Sequence, residues 1–162
     1  MIRTAVYPGS FDPVTRGHLD LVERARRHFD KVVVAVSSNP AKKHAFSVDE
    51  RIRMIETSLK GLTKVEVDTF SGLLVDYLRS KKAHVVVRGL RAVSDLDYEF
   101  QMASMNRRLY AEIETVFLMP DEQYTYFASS MVKEVARLGA SAEPFVSPAV
   151  ARSLRRKFGA KR

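Results

Sequence analysis

The first unusual stretch of the chain places glycines, prolines, a hydroxyl and an imidazole within twelve residues, Tyr7-Pro8-Gly9-Ser10-Phe11-Asp12-Pro13-Val14-Thr15-Arg16-Gly17-His18. It follows an apolar run typical of a buried strand and leads into an amphipathic pattern typical of a helix. A helix start presents free N–H groups and the positive end of the helix dipole, which attract phosphate. Gly17 lets a ligand approach the backbone, and His18 adds a proton-bearing group. The stretch indicates a phosphate-binding turn; the simpler alternative is a tight turn with a solvated His18.

More polar side chains follow other apolar runs of the sequence. They are Asn39, Lys42 and Lys43 after the second run, Arg88-Gly89-Leu90-Arg91 after the fourth, and Tyr124 to Ser130 after the fifth. Arginines suit bidentate contacts with phosphate oxygens, and serines at a helix start can donate to them. Each such group alone is more often surface charge or a helix cap. Their shared position after strands favours a single polyphosphate site.

Five apolar runs, near residues 2–7, 31–37, 64–69, 83–88 and 113–119, predict strands. Helical patterns alternate with them and carry start signals at Ser47, Ser71-Gly72, Ser94, Ser129-Ser130 and Ser147-Pro148. This alternation predicts an α/β fold with a doubly wound, parallel, five-stranded sheet. Ligands of such sheets bind beyond the carboxyl ends of the strands, where the strand order reverses. The polar loops are therefore expected to meet in one crevice.

Length and composition limit the class of protein. The 162 residues predict one domain, residues 1–162, with a basic helix and tail from about residue 148. The net charge is +8, but residues 151–162 contain six basic and no acidic residues, which favours a solvated tail over a nucleic-acid surface. No apolar run reaches membrane-spanning length and no signal-peptide pattern is seen, so we expect a cytoplasmic protein.

The sequence lacks the residues or motifs on which several kinds of active site depend. The chain has no cysteine, which excludes thiolate catalysis and a cysteine-based zinc site, and its four histidines show no metal-ligand spacing. Neither a GxGxxG nor a GxxxxGK[ST] motif is present, so the phosphate site is neither a dinucleotide fingerprint nor a P-loop. No nucleophile stands with a base and an orienting partner, which disfavours a covalent mechanism.

Taken together, these motifs resemble those of a known protein family. Thr15-Arg16-Gly17-His18 resembles the T/HxGH signature of the nucleotidyltransferase superfamily, whose fold is Rossmann-like. With Tyr7 to Pro13, Val87-Arg88-Gly89-Leu90-Arg91 and Ser129 to Ala136, the chain is similar specifically to the phosphopantetheine adenylyltransferases over roughly residues 3–158. Thr15 and the pair Lys133-Glu134 fit this branch better than the mononucleotide adenylyltransferases.

The resemblance implies a reaction in which the adenylyl group of ATP passes to 4′-phosphopantetheine, with Mg²⁺, giving 3′-dephospho-CoA and pyrophosphate. The acceptor phosphate attacks directly and in line, which requires positioning and charge stabilisation more than a base. The resemblance also implies a homohexamer with coenzyme A as a feedback ligand. Neither nucleic acid nor membrane is an expected partner.

The resemblance also assigns residues by position. The implied catalytic residues are His18, Lys42 and Ser10. The implied residues for the acceptor are Ser10, Lys42, Leu74, Arg88, Met102 and Asn106, with Met105 beside them, although Leu and Met at helical spacing are more often core residues. The implied ATP-binding residues are Ser10, Phe11, His18, Gly89, Leu90, Arg91, Glu99, Tyr124, Thr125, Tyr126, Phe127, Ala128, Ser129 and Ser130. Two positions depart from the family pattern: Ser10 replaces a common threonine, and Ala128 lacks a common hydroxyl.

Three alternatives remain at the level of sequence. A mononucleotide adenylyltransferase is the nearest, and Thr15 and Lys133-Glu134 disfavour it. A cytidylyltransferase is more distant, because its acceptor and base pockets use other motifs. A basic nucleic-acid-binding module would need exposed aromatic residues among its basic ones, and the basic run 152–162 has only Phe158.

Overall fold

The computed structural model describes residues 3–159 of the chain. Its sheet contains five strands, β1 (Thr4–Gly9), β2 (Lys31–Ser37), β3 (Val65–Phe70), β4 (Val85–Gly89) and β5 (Glu114–Leu118). The strands are all parallel and lie in the order β3-β2-β1-β4-β5. The predicted α/β fold with a doubly wound five-stranded sheet is therefore confirmed. The prediction of one domain over residues 1–162 extends past the described range, as does the end of the basic tail.

The helices are α1 (Arg16–His28), α2 (Val48–Ser58), α3 (Leu74–Ser80), α4 (Val93–Leu109), α5 (Ser129–Arg137) and α6 (Pro148–Phe158), with a short 3₁₀ turn at Glu122–Tyr124. Buried residues of α1, α2, α5 and α6 share one apolar cluster, and those of α3 belong to a second cluster on the opposite face. Helix α4 begins at Val93 with Ala92 as its cap. The predicted start after Ser94 was thus slightly late.

In the central strands, successive side chains are buried on alternate faces of the sheet, first against one helical layer and then against the other. In β2, Val32, Val34 and Val36 belong to one cluster, while Val33 and Ala35 belong to the other. Such two-sided burial explains why β2 is a continuous apolar run instead of an alternating one. Within residues 3–159 no helix is both long enough and apolar enough to cross a membrane.

The first strand ends later than the sequence predicted, since it continues past Tyr7 through Pro8 and Gly9. It pairs with β2 along its whole length, but its pairing with β4 ends at Val6–Val86. Beyond that point the Nη1 of Arg88 donates to the carbonyl of Pro8, at 3.0 Å. The two strands at which the order reverses therefore separate toward their carboxyl ends. This separation opens the crevice that a doubly wound sheet uses for ligands.

Candidate active site

A cavity of about 660 Å³ lies at the carboxyl ends of β1 and β4, against the first turns of α1 and α5. It brings together thirteen of the residues singled out from the sequence. These are Ser10, Phe11, His18, Lys42, Arg88, Gly89, Arg91, Glu99, Tyr124, Phe127, Ala128, Ser129 and Ser130.

A second cavity, of about 320 Å³, adjoins the first and extends between α3 and α4. Leu74, Met102 and Asn106 line it, as the resemblance implied. The residues common to both cavities are Gly9, Ser10, Lys42, Arg88, Tyr98 and Glu99. The two spaces thus meet at a junction with two hydroxyls, two cationic side chains and one carboxylate.

Local backbone structure fixes the imidazole of His18 at the cavity wall. Thr15 caps α1, and its side chain accepts a hydrogen bond from the backbone N–H of His18. In return, Nδ1 of His18 accepts the backbone N–H of Thr15, at 3.0 Å. A neutral imidazole that accepts at Nδ1 carries its proton on Nε2. Within residues 3–159 that second nitrogen has no hydrogen-bond partner, so it is available to a ligand in the cavity.

The surroundings of His18 favour this neutral form. Burial lowers the pKa of His18 from 6.5 to about 4, and the positive charges of Arg91 and Arg88 act in the same direction. At neutral pH the side chain of the ligand-free protein is therefore an N–H donor without a net charge. Such a group can stabilise charge on a phosphate without transferring a proton.

Arg88 is held differently from what the sequence suggested. In the ligand-free protein Nε and Nη2 of Arg88 donate to Glu99, at 2.8 and 2.6 Å, and the expected bidentate contact with phosphate stays a prediction. Glu99 is itself buried, so its charge needs this partner. In the ligand-free protein Glu99 is thus a support for Arg88, and the remaining face of the guanidinium borders both cavities.

The cations at the cavity include two that are less constrained. Arg91 lies 3.4 Å from Asp95 in a half-exposed i,i+4 pair, which is weak in water. Lys42 is exposed on the loop after β2 and lines both cavities. The helix starts of α1 and α5 add partial positive charge. The resulting field favours a ligand with several negative charges.

Glycines keep the backbone near this cavity open. A Cβ on Gly89 would lie 2.5 Å from Cδ1 of Leu21, so the Leu21 side chain of α1 packs directly against the glycine and would have to shift for any larger residue. A Cβ on Gly17 would contact Tyr124 at 3.4 Å. The absence of that atom leaves room where the first turn of α1 faces the 3₁₀ turn.

Aromatic side chains close the end of the cavity at α5. Tyr124 and Phe127 line it, and Phe127 packs edge-to-face on Phe145 with ring centroids 4.8 Å apart. Ser129 donates its hydroxyl to the carbonyl of Pro13, at 2.8 Å, which joins the start of α5 to the first loop. Ala128 occupies the cap position of α5 and offers no side-chain hydrogen bond there.

Some of the residues predicted for the site line neither cavity. They are Leu90, Thr125, Tyr126, Met105 and, from the loop after β2, Asn39 and Lys43. The backbone N–H of Leu90 donates to Leu118, Thr125 closes the 3₁₀ turn, and Tyr126 is exposed. Met105 is also exposed and lines neither cavity, and its place beside the acceptor stays a prediction. Contacts of Leu90, Thr125 and Tyr126 with a nucleotide remain predictions.

Two buried charged residues that support the site were not singled out. Asp12 accepts hydrogen bonds from Ala45, Phe46 and Lys133 at 2.9, 2.9 and 2.7 Å. Burial alone would raise the pKa of Asp12, but the hydrogen bond from Lys133 and those from the two backbone N–H groups bring it below its ordinary value. Asp12 therefore ties the first loop to the Lys42 loop and to α5.

The second support is Arg51, on α2, whose side chain is almost completely buried. Its Nη1 donates to the carbonyls of Ser10 and Ser37, at 2.6 and 3.0 Å. Ser10 directly follows β1 and Ser37 is the last residue of β2, so one guanidinium fixes the starts of the loops that carry Ser10 and Lys42. An arginine in an amphipathic helix ordinarily indicates the solvent face, which is why the sequence did not reveal it.

Comparison with known proteins agrees with this geometry. The profile of the cytidylyltransferase-like family matches residues 6–135. The chain is 54% identical over 157 residues to the phosphopantetheine adenylyltransferase of Geotalea daltonii, covering 97% of this chain and 98% of that protein. The chain belongs to the phosphopantetheine adenylyltransferase family. The enzyme of the same name from Heliobacterium modesticaldum is 53% identical over 155 residues, covering 96% of this chain and 92% of that one.

A solved structure supports the fold of this phosphopantetheine adenylyltransferase family member. A bifunctional NMN adenylyltransferase/ADP ribose pyrophosphatase from Francisella tularensis superposes with a TM-score of 0.75 at 19% identity. The match covers 99% of this chain and 51% of that one. The shared feature is the nucleotidyltransferase fold of Rossmann type.

Proposed function

We propose that this protein transfers the adenylyl group of ATP to 4′-phosphopantetheine, giving 3′-dephospho-CoA and pyrophosphate, a step of coenzyme A biosynthesis. One observation carries the proposal: two cavities of different character meet at Ser10, Lys42 and Arg88. A two-substrate transfer between phosphates needs such a junction, with room for a nucleotide on one side and for a second substrate on the other.

The larger cavity suits ATP. Its aromatic end at Tyr124 and Phe127 offers flat apolar surface for a base, and the open backbone at Gly17 gives space beside it. The triphosphate would extend along the starts of α1 and α5, with Arg91 and the serines Ser129 and Ser130 as donors.

The smaller cavity suits the pantetheine arm. Leu74 and Met102 give it an apolar wall, and thioether side chains adapt well to an irregular, extended ligand. Asn106 is buried there, and its amide has no hydrogen-bond partner within residues 3–159. A buried side-chain amide usually has a hydrogen-bond partner, and an amide group of the pantetheine arm would supply one for Asn106.

The chemical step needs no base. A non-bridging oxygen of the acceptor phosphate attacks the α-phosphorus in line, and the bond from that phosphorus to the β-bridging oxygen breaks. The electron pair of the broken bond leaves on pyrophosphate, without a covalent enzyme intermediate. The proposed catalytic groups are the Nε2–H of His18, the hydroxyl of Ser10 and the ammonium of Lys42, which stabilise charge on the transferring phosphoryl group.

Mg²⁺ would enter with ATP, because the part of the chain that the structure describes offers no dedicated cage. Within residues 3–159 no three acidic or histidine side chains cluster as metal ligands. The carboxylates at the cavity, Asp12, Glu99 and Asp95, each already face a cation. Magnesium commonly keeps its waters and binds substrate phosphates, which this arrangement permits.

The proposal extends to assembly and regulation. We propose a homohexamer, supported by the large apolar side chains exposed along α4, which include Phe100, Met105 and Leu109. Coenzyme A is the proposed feedback ligand, since its pantetheine and adenylyl parts match both cavities. Because ATP is consumed, we place the reaction in the cytoplasm, and we treat residues 1–162 as a single nucleotidyltransferase domain.

The nearest alternative is a mononucleotide adenylyltransferase, whose acceptor has a planar pyridine ring. The lining of the smaller cavity by Leu74, Met102 and Asn106 favours the flexible acceptor. The test is pyrophosphate release with ATP, Mg²⁺ and equal concentrations of phosphopantetheine, nicotinamide mononucleotide or nicotinate mononucleotide. Turnover with phosphopantetheine alone is expected. Turnover with a mononucleotide and none with phosphopantetheine would refute the proposal.

A further inference from the structure

Tyr7 carries a buried hydroxyl without a hydrogen-bond partner among the described residues. Its side chain is only 5% exposed and lines the larger cavity. Within residues 3–159 its phenol oxygen makes no hydrogen bond, although buried tyrosine hydroxyls usually have one. Among the described residues, two side-chain atoms are fully buried and have no hydrogen-bond partner, His44 Nε2 and Arg51 Nε. The Tyr7 oxygen is not one of them, so it is not fully buried. The hydroxyl of Tyr7 therefore borders open space, and that space is the cavity.

The position of the Tyr7 ring places this hydroxyl at the reacting end of the cavity. The ring packs edge-to-face on Phe11, with centroids 5.3 Å apart, and its centroid lies 6.4 Å from that of His18. Arg88 and Arg91 are close enough for their charges to act on the phenol. Tyr7 thus lines the same cavity as the imidazole proposed for the α-phosphate and the arginine proposed for the acceptor phosphate, and it lies near both.

The phenol is in the donor state at physiological pH. Burial raises the pKa of Tyr7 well above its ordinary value of 10.0, although the charges of Arg88 and Arg91 act in the opposite direction. Like the Nε2–H of His18, the hydroxyl is therefore a neutral donor that needs an acceptor. A phosphate drawn into this region by the arginines would supply one.

We propose that the Tyr7 hydroxyl is a second neutral donor to the α-phosphate of bound ATP, acting together with Nε2–H of His18. This inference rests on the proposed function for its acceptor and for the α-phosphate as the reacting group. The two donors reach the phosphate from different elements, Tyr7 from β1 and His18 from α1. Rigid donors of this kind stabilise developing charge without reorganisation.

Tyr7→Phe tests the inference cleanly, because phenylalanine keeps the ring packing on Phe11 and removes a hydroxyl without a protein partner. The fold should not depend on that hydroxyl, so the melting temperature of the ligand-free variant is expected to equal that of the wild type. Tyr110→Phe is the matched control, since its hydroxyl bonds His84 and Glu112 at an exposed site away from the cavities.

The measurements are kcat/KM for phosphopantetheine with saturating ATP, ATP affinity by calorimetry, and the melting temperature without ligand. Tyr7→Phe is expected to lose roughly 10- to 100-fold in kcat/KM and about fivefold in ATP affinity, as a lost hydrogen bond to a charged group predicts. Tyr110→Phe should match the wild type. Activity within twofold of the wild type would overturn the inference, and so would a loss of activity accompanied by a lower melting temperature.

The proposed function can fail independently of this inference. If the wild-type protein did not turn over phosphopantetheine, the function would be refuted, and ATP affinity alone would then decide the role of Tyr7. Weaker ATP binding by Tyr7→Phe would support the hydroxyl as a phosphate donor, and equal binding would overturn it.

Discussion

The backbone N–H of Thr15 donates to Nδ1 of His18 across 3.0 Å, and the Thr15 hydroxyl lies 3.1 Å from the same nitrogen. This reciprocal cap does two things at once. It gives hydrogen-bond acceptors to backbone N–H groups at the start of α1 that would otherwise have none, and it leaves the imidazole proton on Nε2. A helix cap thereby fixes the tautomer of the imidazole that we propose as the donor to the α-phosphate.

The first prediction concerns His18→Ala. Removing a preorganised donor to developing charge is expected to lower kcat by roughly 10²–10³-fold. The lost cap should cost only about 1 kcal/mol of folding stability, so the variant remains folded. Steady-state kinetics and thermal melting measure the two effects. His28→Ala, at the exposed end of the same helix, is the control. Near-normal kcat in His18→Ala would remove this side chain from the mechanism.

The second prediction is the titration of His18 in the ligand-free protein. Because burial and two arginines lower its pKa to about 4, its NMR signals should show no protonation near pH 6.5. The unfolded chain binds this proton more readily, so His18 contributes stability that is fully present above about pH 6.5. That contribution is lost as the pH falls from 6.5 toward 4. A titration midpoint at or above 6.5 would contradict the lowered pKa of the buried imidazole.

The third prediction tests Arg51 as the link between the two loops. In Arg51→Met the carbonyls of Ser10 and Ser37 lose their shared donor, which should lower the free energy of unfolding by roughly 3 kcal/mol. Urea denaturation measures this loss. Arg53→Met, on the exposed side of the same helix, should change stability little. Equal stability of the two variants would contradict the assignment.

The fourth prediction separates the two arginines at the junction. Arg88 lines both cavities and Arg91 only the larger one. Arg88→Ala should therefore raise KM for phosphopantetheine more than KM for ATP, and Arg91→Ala should do the reverse. Losses of about 2 kcal/mol or more are expected for a desolvated charge contact. If both variants weakened both substrates equally, the arginines would serve one shared phosphate cluster.

The sequence predicted the sheet because alternating apolar runs and helix caps are local signals. It also predicted the converging loops, since parallel strands end at one edge. It did not predict that β1 would continue through Pro8, because proline is unusual inside a central strand. Here the pairing with β4 has already ended, and the side chain of Arg88 bonds the Pro8 carbonyl instead.

The sequence also could not predict which charged residues, far apart along the chain, form pairs. Asp12 and Lys133 meet across 121 positions, and Arg88 turns toward Glu99 because a buried carboxylate needs a cation. Met105 shared its apolar character with Met102, yet the phase of α4 turns only Met102 toward the smaller cavity. In the sequence, Tyr7 is a residue of an ordinary apolar strand. Only the structure indicates its role in the site, because its hydroxyl has no hydrogen-bond partner within residues 3–159.

The most direct measurement follows the oxygens of the acceptor. Phosphopantetheine labelled with ¹⁸O in its phosphate is incubated with ATP and Mg²⁺, and the products are analysed by ³¹P NMR. Attack by the acceptor on the α-phosphorus predicts dephospho-CoA in which both phosphorus signals carry the isotope shift, with unlabelled pyrophosphate. An unlabelled adenylyl phosphorus in the product, label in pyrophosphate, or the absence of dephospho-CoA would contradict the proposed transfer.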